Sequence, residues 1–295
     1  MKTFEGKNYW ALIIGGSSGM GLATAEKLAN EGINIIVVHR DRRATLEAAN
    51  KAFEQIRAKG VELVNFNKDA THPTIIQEII TETKNLLGDT GKLRLLLHAI
   101  ARGNLKPLVD AKPVTNGLSE KTDGIHTTVK EFFAMQETSF ANTTGGLELQ
   151  DYQFTIHAMG TNLIEWSKAV LEHQLFAPEA RIIGLTSEGD KKVWKGYAAV
   201  AAAKASLDAL SKYLAIEFAP FGITTNLVQA GVTDTPSLNM IPGSDILKDT
   251  AKMRNPFHRL TRPEDVANAI YLLCRDEGSW INGTTLVVDG GEHLK

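Results

Sequence analysis

A chain of 295 residues that is 43% hydrophobic and 22% charged is ordinary for a globular protein, and its length permits one or two domains. A formal net charge of −2 with no basic tract gives no electrostatic reason to invoke nucleic acid. The single cysteine, Cys274, excludes an intrachain disulfide, the N-terminus lacks the apolar core of a signal peptide, and no stretch has the length a membrane helix needs, so a soluble cytoplasmic protein is expected.

In chain order, an apolar run at residues 10–14 leads into Gly15-Gly16-Ser17-Ser18-Gly19-Met20-Gly21 and a helix over 21–31. A second strand, 33–38, ends in His39-Arg40-Asp41-Arg42-Arg43 and is followed by a helix over 42–59. Strands at 61–65 and 93–99 flank a helix at 73–87. After a break at about 109–148 come a helix at 153–171, a strand at 181–186 and a helix at 197–218 that opens with Tyr197. A strand at 224–228, a helix at 263–275 and a strand at 285–289 complete the pattern. Nearly continuous apolar strands separated by amphipathic helices imply a parallel sheet covered on both faces. The expected fold is a single α/β domain over 1–295, a Rossmann-type doubly wound sheet, with ligands beyond the carboxyl ends of the strands. The break reads as an insertion after the fourth strand, either a surface elaboration or a lid, with a short amphipathic helix over 125–136.

The glycine motif stands between a strand and a helix, the context a nucleotide-binding turn requires. The chain must turn sharply and bring its backbone against a pyrophosphate, which a Cβ would obstruct, while the following helix N-terminus favours an anion. Gly15, Ser17, Ser18, Gly19, Met20 and Gly21 are therefore candidate cofactor contacts. Where an NAD enzyme carries an acid for the ribose 2′-hydroxyl, this chain has His39 and Arg40. Guanidinium groups bind a 2′-phosphate by charge-assisted contacts, so NADPH is favoured over NADH, with Arg40 the principal contact and Arg42 or Arg43 in support. No metal ligand set is expected.

Tyr197 and Lys204 are seven residues apart, nearly two helical turns, and so share one face with about 10 Å between their Cα atoms. The lysine leans back toward the tyrosine, where an ammonium would lower the phenol pKa and make it a better acid. Ser187, at the end of the preceding strand, completes the candidate catalytic set.

On these motifs the chain resembles the short-chain dehydrogenase/reductase family over nearly its whole length outside the insertion. The resemblance extends to Asp69 and Ala70, where the family places an adenine-contacting acid, to Ala230-Gly231-Val232-Thr233 after the sixth strand, and to Val288-Asp289-Gly290-Gly291. Most family members carry the tyrosine four residues before the lysine; that position here is Val200, which has no proton to donate. The Tyr-x6-Lys spacing is similar instead to the enoyl-acyl-carrier-protein reductase branch, as is His98-Ala99-Ile100-Ala101 in place of the usual Asn-Asn-Ala-Gly. In enoyl reduction the hydride arrives at the β-carbon while charge develops on a thioester oxygen two carbons away. A phenol set further up the helix suits that separation and would act as an oxyanion stabiliser.

The resemblance implies cofactor contacts from Asp69, Ala70, His98, Ala99, Ile100, Lys204, Gly231, Val232 and Thr233, the last near the nicotinamide, and a homotetramer. Residues 233–257 fall where the family's substrate loop lies, and Leu238, Met240 and Ile241 either line an acyl channel or pack a short helix. His157 stands in the place of the family's helix asparagine, and Glu188 is either a buried or substrate-facing carboxylate or a solvated loop residue. The implied activity is NADPH-dependent reduction of an enoyl thioester carried on acyl-carrier protein or coenzyme A. A carbonyl or 3-oxoacyl reductase using Tyr197, and a catalytically silent NADPH sensor, are the alternatives.

Overall fold

A computed structural model describes residues 2–109 and 145–295. The expected insertion therefore lies almost wholly outside the described residues, and the expected helix at 125–136 entirely so.

Seven strands form one parallel sheet: β1 (Tyr9–Ile14), β2 (Asn34–His39), β3 (Leu63–Asn67), β4 (Lys92–His98), β5 (Phe176–Thr186), β6 (Thr224–Ala230) and β7 (Thr285–Val288). Their order is β3-β2-β1-β4-β5-β6-β7. The chain winds outward from β1 in one direction and then from β4 in the other, leaving a crevice at the carboxyl ends of β1 and β4 where α/β sheets bind ligands. The flanking helices are α1 (Gly19–Asn30), α2 (Arg43–Arg57), α3 (Pro73–Leu87), α4 (Leu149–Ile156), α5 (Asn162–Glu172), α6 (Ala198–Phe218), α7 (Pro236–Asn239), α8 (Ser244–Arg254) and α9 (Pro263–Cys274).

Side-chain alternation along the strands feeds two cores. In β1, Trp10, Leu12 and Ile14 pack with α3, α5 and α6 through Ile76, Ile79, Trp166, Leu207 and Leu214. Ala11 and Ile13 point the other way, toward Leu28 of α1, Phe53 and Ile56 of α2, and Val266 and Ile270 of α9. Both faces are thus covered, as a continuous apolar strand demands. No helix among the described residues is long and apolar enough to cross a membrane.

Two elements depart from expectation. The region at 233–257, read as a loop, contains α7 and α8. Helix α8 buries only Ala251 fully and so has almost no apolar stripe to betray it. Strand β5 begins five residues earlier than its apolar run, because its first half pairs with β4 through an irregular register between Leu93 and Leu95. That irregularity brings Arg94 and Arg181, each 1% exposed, to the amino end of the sheet. Arg94 Nε donates to the Cys274 carbonyl at 3.0 Å, and Arg181 Nε to the Leu273 carbonyl at 2.8 Å. These are among the last carbonyls of α9, the negative end of its dipole. Cys274, buried beside them, has its thiol pushed up to about 12 by desolvation, so it is an inert packing residue.

Candidate active site

The carboxyl ends of β1 to β6 and the start of α6 bring the sequence candidates to one edge of the sheet. Gly15 has φ +94°, and a Cβ on it would lie 2.8 Å from the Ala99 carbonyl oxygen, so a side chain there would separate β1 from β4. A Cβ on Gly21 would collide with the Gly15 carbonyl. Helix α1 starts inside this turn. Its N-cap Ser18 makes no side-chain capping bond, and the first turn has no acidic residue. A helix N-terminus without an internal anion, over a turn that excludes side chains, fits a pyrophosphate.

At the end of β2, His39 is buried (3% exposed) and makes Nδ1···Asp41 and Nε2···Asn65 contacts of 2.8 and 3.2 Å. His39 therefore braces the turn from within. Asp41 also bonds Thr45 and Ser17, partnerships that hold its carboxyl below the usual range against the opposing effect of burial. Arg40 is exposed, with Nε 3.6 Å from Asp69 Oδ2, whereas Arg42 and Arg43 are the N-cap and first residue of α2. Asp69 is held at about 2: burial opposes this, but bonds from Thr71 and from Arg102 Nη1 at 2.9 Å outweigh it. Arg102, which sequence reasoning passed over, also lies over the Phe154 ring at 4.7 Å. The Arg40–Asp69–Arg102 chain joins the ends of β2, β3 and β4.

Beneath this chain, His98 is fully buried, and desolvation together with the nearby Lys204 charge holds it down at about 3, so it is neutral. The Asn162 amide donates to Ala70 O at 3.1 Å and Glu165 Oε2 at 3.0 Å, which leaves its oxygen to accept from His98 Nε2–H at 3.3 Å. Asn162, absent from the sequence candidates, is thus the bolt between β3, β4 and α5. His157 instead pairs with Glu165 at 3.0 Å and begins a π-helical turn, His157–Thr161, between α4 and α5. Gly160 in that turn lets α6 approach, since a Cβ there would sit 3.0 Å from the Ala203 carbonyl.

Tyr197 is the N-cap of α6 and bonds Ser187. Burial pushes its hydroxyl up despite that bond. The expected lowering by Lys204 is not found: Lys204 Nζ, 6% exposed, donates to the Leu185 carbonyl at 2.7 Å and is itself pushed down to about 8 by desolvation. The side chain at 197 is therefore a protonated phenol, a hydrogen-bond donor. Asp190 raises Lys204 in turn, and its buried Oδ1 has no hydrogen-bond partner among the described residues. Val200, 3% exposed, packs with Ala158, Met159 and Ala203 beside Ile100, Leu105 and Phe154. The position four before Lys204 is thus the wall of an apolar cluster that reaches Tyr197.

Glu188 is partly buried and ion-paired. Arg254 of α8 holds it with both guanidinium nitrogens at 2.9 and 3.2 Å, and Lys192 adds a contact at 2.9 Å. Thr233 is buried and donates to the Gly231 carbonyl at 2.8 Å; Met240 is 80% exposed. Among the described residues no group of three or more His, Cys, Asp or Glu side chains is arranged to hold a metal ion.

Comparison with known proteins agrees with this architecture. The family profile described as short chain dehydrogenase matches residues 9–116, and that described as Enoyl-(Acyl carrier protein) reductase matches 110–293. The chain is 29% identical to 3-oxoacyl-(acyl-carrier-protein) reductase of Staphylococcus epidermidis over 289 residues, 97% of this chain and 100% of that one. It is 24% identical to the peroxisomal 2,4-dienoyl-CoA reductase of Mus musculus, over 96% of this chain and 83% of the mouse protein. The fold matches that of an enoyl-(acyl-carrier-protein) reductase from Anaplasma phagocytophilum in complex with NAD (TM-score 0.74, 19% identity, 100% of this chain and 94% of that one). It also matches a short chain dehydrogenase from Burkholderia cenocepacia in complex with NADP (TM-score 0.73, 24% identity, 97% and 98%). The chain belongs to the short-chain dehydrogenase/reductase family of oxidoreductases.

Proposed function

We propose that this protein uses NADPH to reduce the carbon–carbon double bond of an enoyl thioester. The observation that carries the reading is the placement of Tyr197: a protonated phenol at the head of α6, two turns before Lys204, with Val200 packed into an apolar wall at the intervening position. When bound, the reduced nicotinamide supplies the hydride, which goes to the β-carbon. The Tyr197 hydroxyl donates to the thioester oxygen on which negative charge develops, and a solvent-derived proton completes the α-carbon. Ser187 orients the phenol, and Lys204, now bonded to the Leu185 carbonyl, would hold the ribose hydroxyls and supply positive potential. The apolar cluster around Val200, Ile100, Leu105 and Phe154 gives the acyl chain a surface. A carrier-protein thioester is supported by the names of two similar proteins, and coenzyme A by that of a third. The same reading includes a homotetramer, with Leu272, Trp280 and Leu286, on or near edge strand β7 in sequence, exposed and available for it.

The assay is NADPH oxidation with crotonyl and acetoacetyl thioesters in parallel. Turnover of the enoyl substrate alone is expected; turnover of the ketoacyl substrate alone would overturn the assignment. Carbonyl reduction is the second reading because the staphylococcal relative, at 29% identity, is a 3-oxoacyl reductase.

The preference for NADPH rests on Arg40, exposed at the end of β2 and steered by Asp69. Replacing Arg40 by Ala removes charge-assisted bonds to a 2′-phosphate and is expected to weaken NADPH binding by about ten- to a hundredfold, with NADH affinity changed by less than about twofold. Equal affinity of the wild type for the two cofactors would instead give the ribose to Asp41, whose carboxylate bonds Ser17 in the glycine turn.

A further inference from the structure

The last residues of the chain curl back under the site. After Gly290 and Gly291, at φ +64° and +84°, the turn is fixed by Asp289, which accepts from Gly291 N at 2.8 Å and His293 N at 2.8 Å. Arg254 fastens it from α8, donating through Nε to the Lys295 carbonyl at 2.9 Å and through Nη2 to the Glu292 carbonyl at 3.0 Å. The same guanidinium holds Glu188, the neighbour of Ser187. This hook carries the Glu292 side chain inward, where it is 1% exposed. Its Oε2 accepts from Val232 N at 3.2 Å and lies where a Cβ on Gly231 would come within 2.8 Å of it; its Oε1 has no partner among the described residues.

Residues 231–235 leave β6 beside β5 and reach the glycine turn, where a Cβ on Gly19 would meet the Thr235 side chain at 3.2 Å. A dinucleotide running from that turn to Tyr197 passes along this loop. A buried carboxyl group is costly unless it fixes something, and what Glu292 fixes is the Val232 amide. We propose that Glu292 is a positioning residue, holding the backbone at 231–233 in the shape that receives the nicotinamide end of the cofactor. The inference rests on the dinucleotide reading above but not on the choice between enoyl and carbonyl substrates.

The test compares Glu292→Ala and Glu292→Gln with wild type for binding of NADPH and of adenosine 2′,5′-bisphosphate, a probe confined to the adenosine end, by calorimetry, with thermal unfolding alongside. Loss of the acceptor strands the Val232 amide, so Glu292→Ala is expected to weaken NADPH binding about tenfold while leaving the bisphosphate within about twofold of wild type. Glu292→Gln, which retains an acceptor oxygen, should restore NADPH binding to within about twofold. Unchanged NADPH binding by Glu292→Ala, equal weakening of both ligands, or failure of Glu292→Gln to restore binding would each overturn the proposal. A wild type that binds neither ligand would overturn the dinucleotide reading itself.

Discussion

Replacing Tyr197 by Phe is expected to lower turnover of an enoyl thioester by about 10²- to 10³-fold, the usual cost of removing one preorganised donor to a developing oxyanion. The ring is retained, so its packing against Gly189, where a Cβ would press on the ring edge, is undisturbed. NADPH affinity should stay within about twofold, because the lost hydroxyl bonds Ser187 and, on the proposed reading, serves the substrate and not the cofactor. The loss should fall on kcat, with KM little changed, since an interaction made chiefly in the transition state contributes little to ground-state binding. Stopped-flow oxidation of NADPH separates the chemical step from release. A variant retaining more than about a tenth of wild-type kcat would show that charge on the thioester oxygen is stabilised elsewhere.

The largest stability effect is expected at the opposite end of the sheet. Arg94 is 1% exposed, and its guanidinium satisfies the Cys274 carbonyl at 3.0 Å, the Glu179 carbonyl at 2.8 Å and Asp276 Oδ1 at 2.8 Å. Arg94→Met keeps much of the volume but leaves the Cys274 carbonyl, at the end of α9, without its donor, while the Glu179 carbonyl keeps its bond from Arg181. A loss of about 2–3 kcal/mol is expected, the range for losing charge-assisted hydrogen bonds and stranding a buried acceptor, since the charged partner Asp276 is itself exposed. For a chain of this size that corresponds to a fall in Tm of roughly 3–5 °C, read by calorimetry on the apoprotein. NADPH affinity of the folded fraction should be unchanged, as Arg94 lies at the amino ends of the strands, away from the site. A fall of less than about 2 °C would mean that solvent replaces the guanidinium, and that the α9 carbonyls are not sealed as their burial indicates.

How much of this could be read from residues alone depended on whether the partner was local. The alternation of Trp10, Leu12 and Ile14 with Ala11 and Ile13 is a backbone period, and it foretells a strand buried on both faces. Gly15 and Gly21 foretell a close turn because only glycine tolerates it. The Tyr197–Lys204 spacing is equally local. What Lys204 bonds was not legible, because its acceptor is a backbone carbonyl 19 residues away on β5, and no side chain marks it. The phenol then follows burial and is pushed up, contrary to expectation. Asn162 and Arg102 escaped for a related reason: each acts through a residue far along the chain, Ala70 and Asp69 respectively. Glu188 looks like a loop acid until α8 swings Arg254 onto it. The helix bearing that arginine has too little apolar surface to show in the sequence. Arg94 and Arg181 also went unread, since a charged side chain is rarely buried without a partner and the α9 carbonyls that receive them lie far along the chain.

The central claim is that hydride goes to the β-carbon of an enoyl thioester while Tyr197 holds the distant oxygen. Its most direct test uses NADPH deuterated at the transferable position, crotonyl thioester and mass spectrometric and NMR analysis of the product. The account predicts butyryl thioester with the cofactor's deuterium at the β-carbon and a solvent hydrogen at the α-carbon. Unreacted crotonyl thioester, with acetoacetyl thioester converted to labelled 3-hydroxybutyryl thioester under the same conditions, would contradict it.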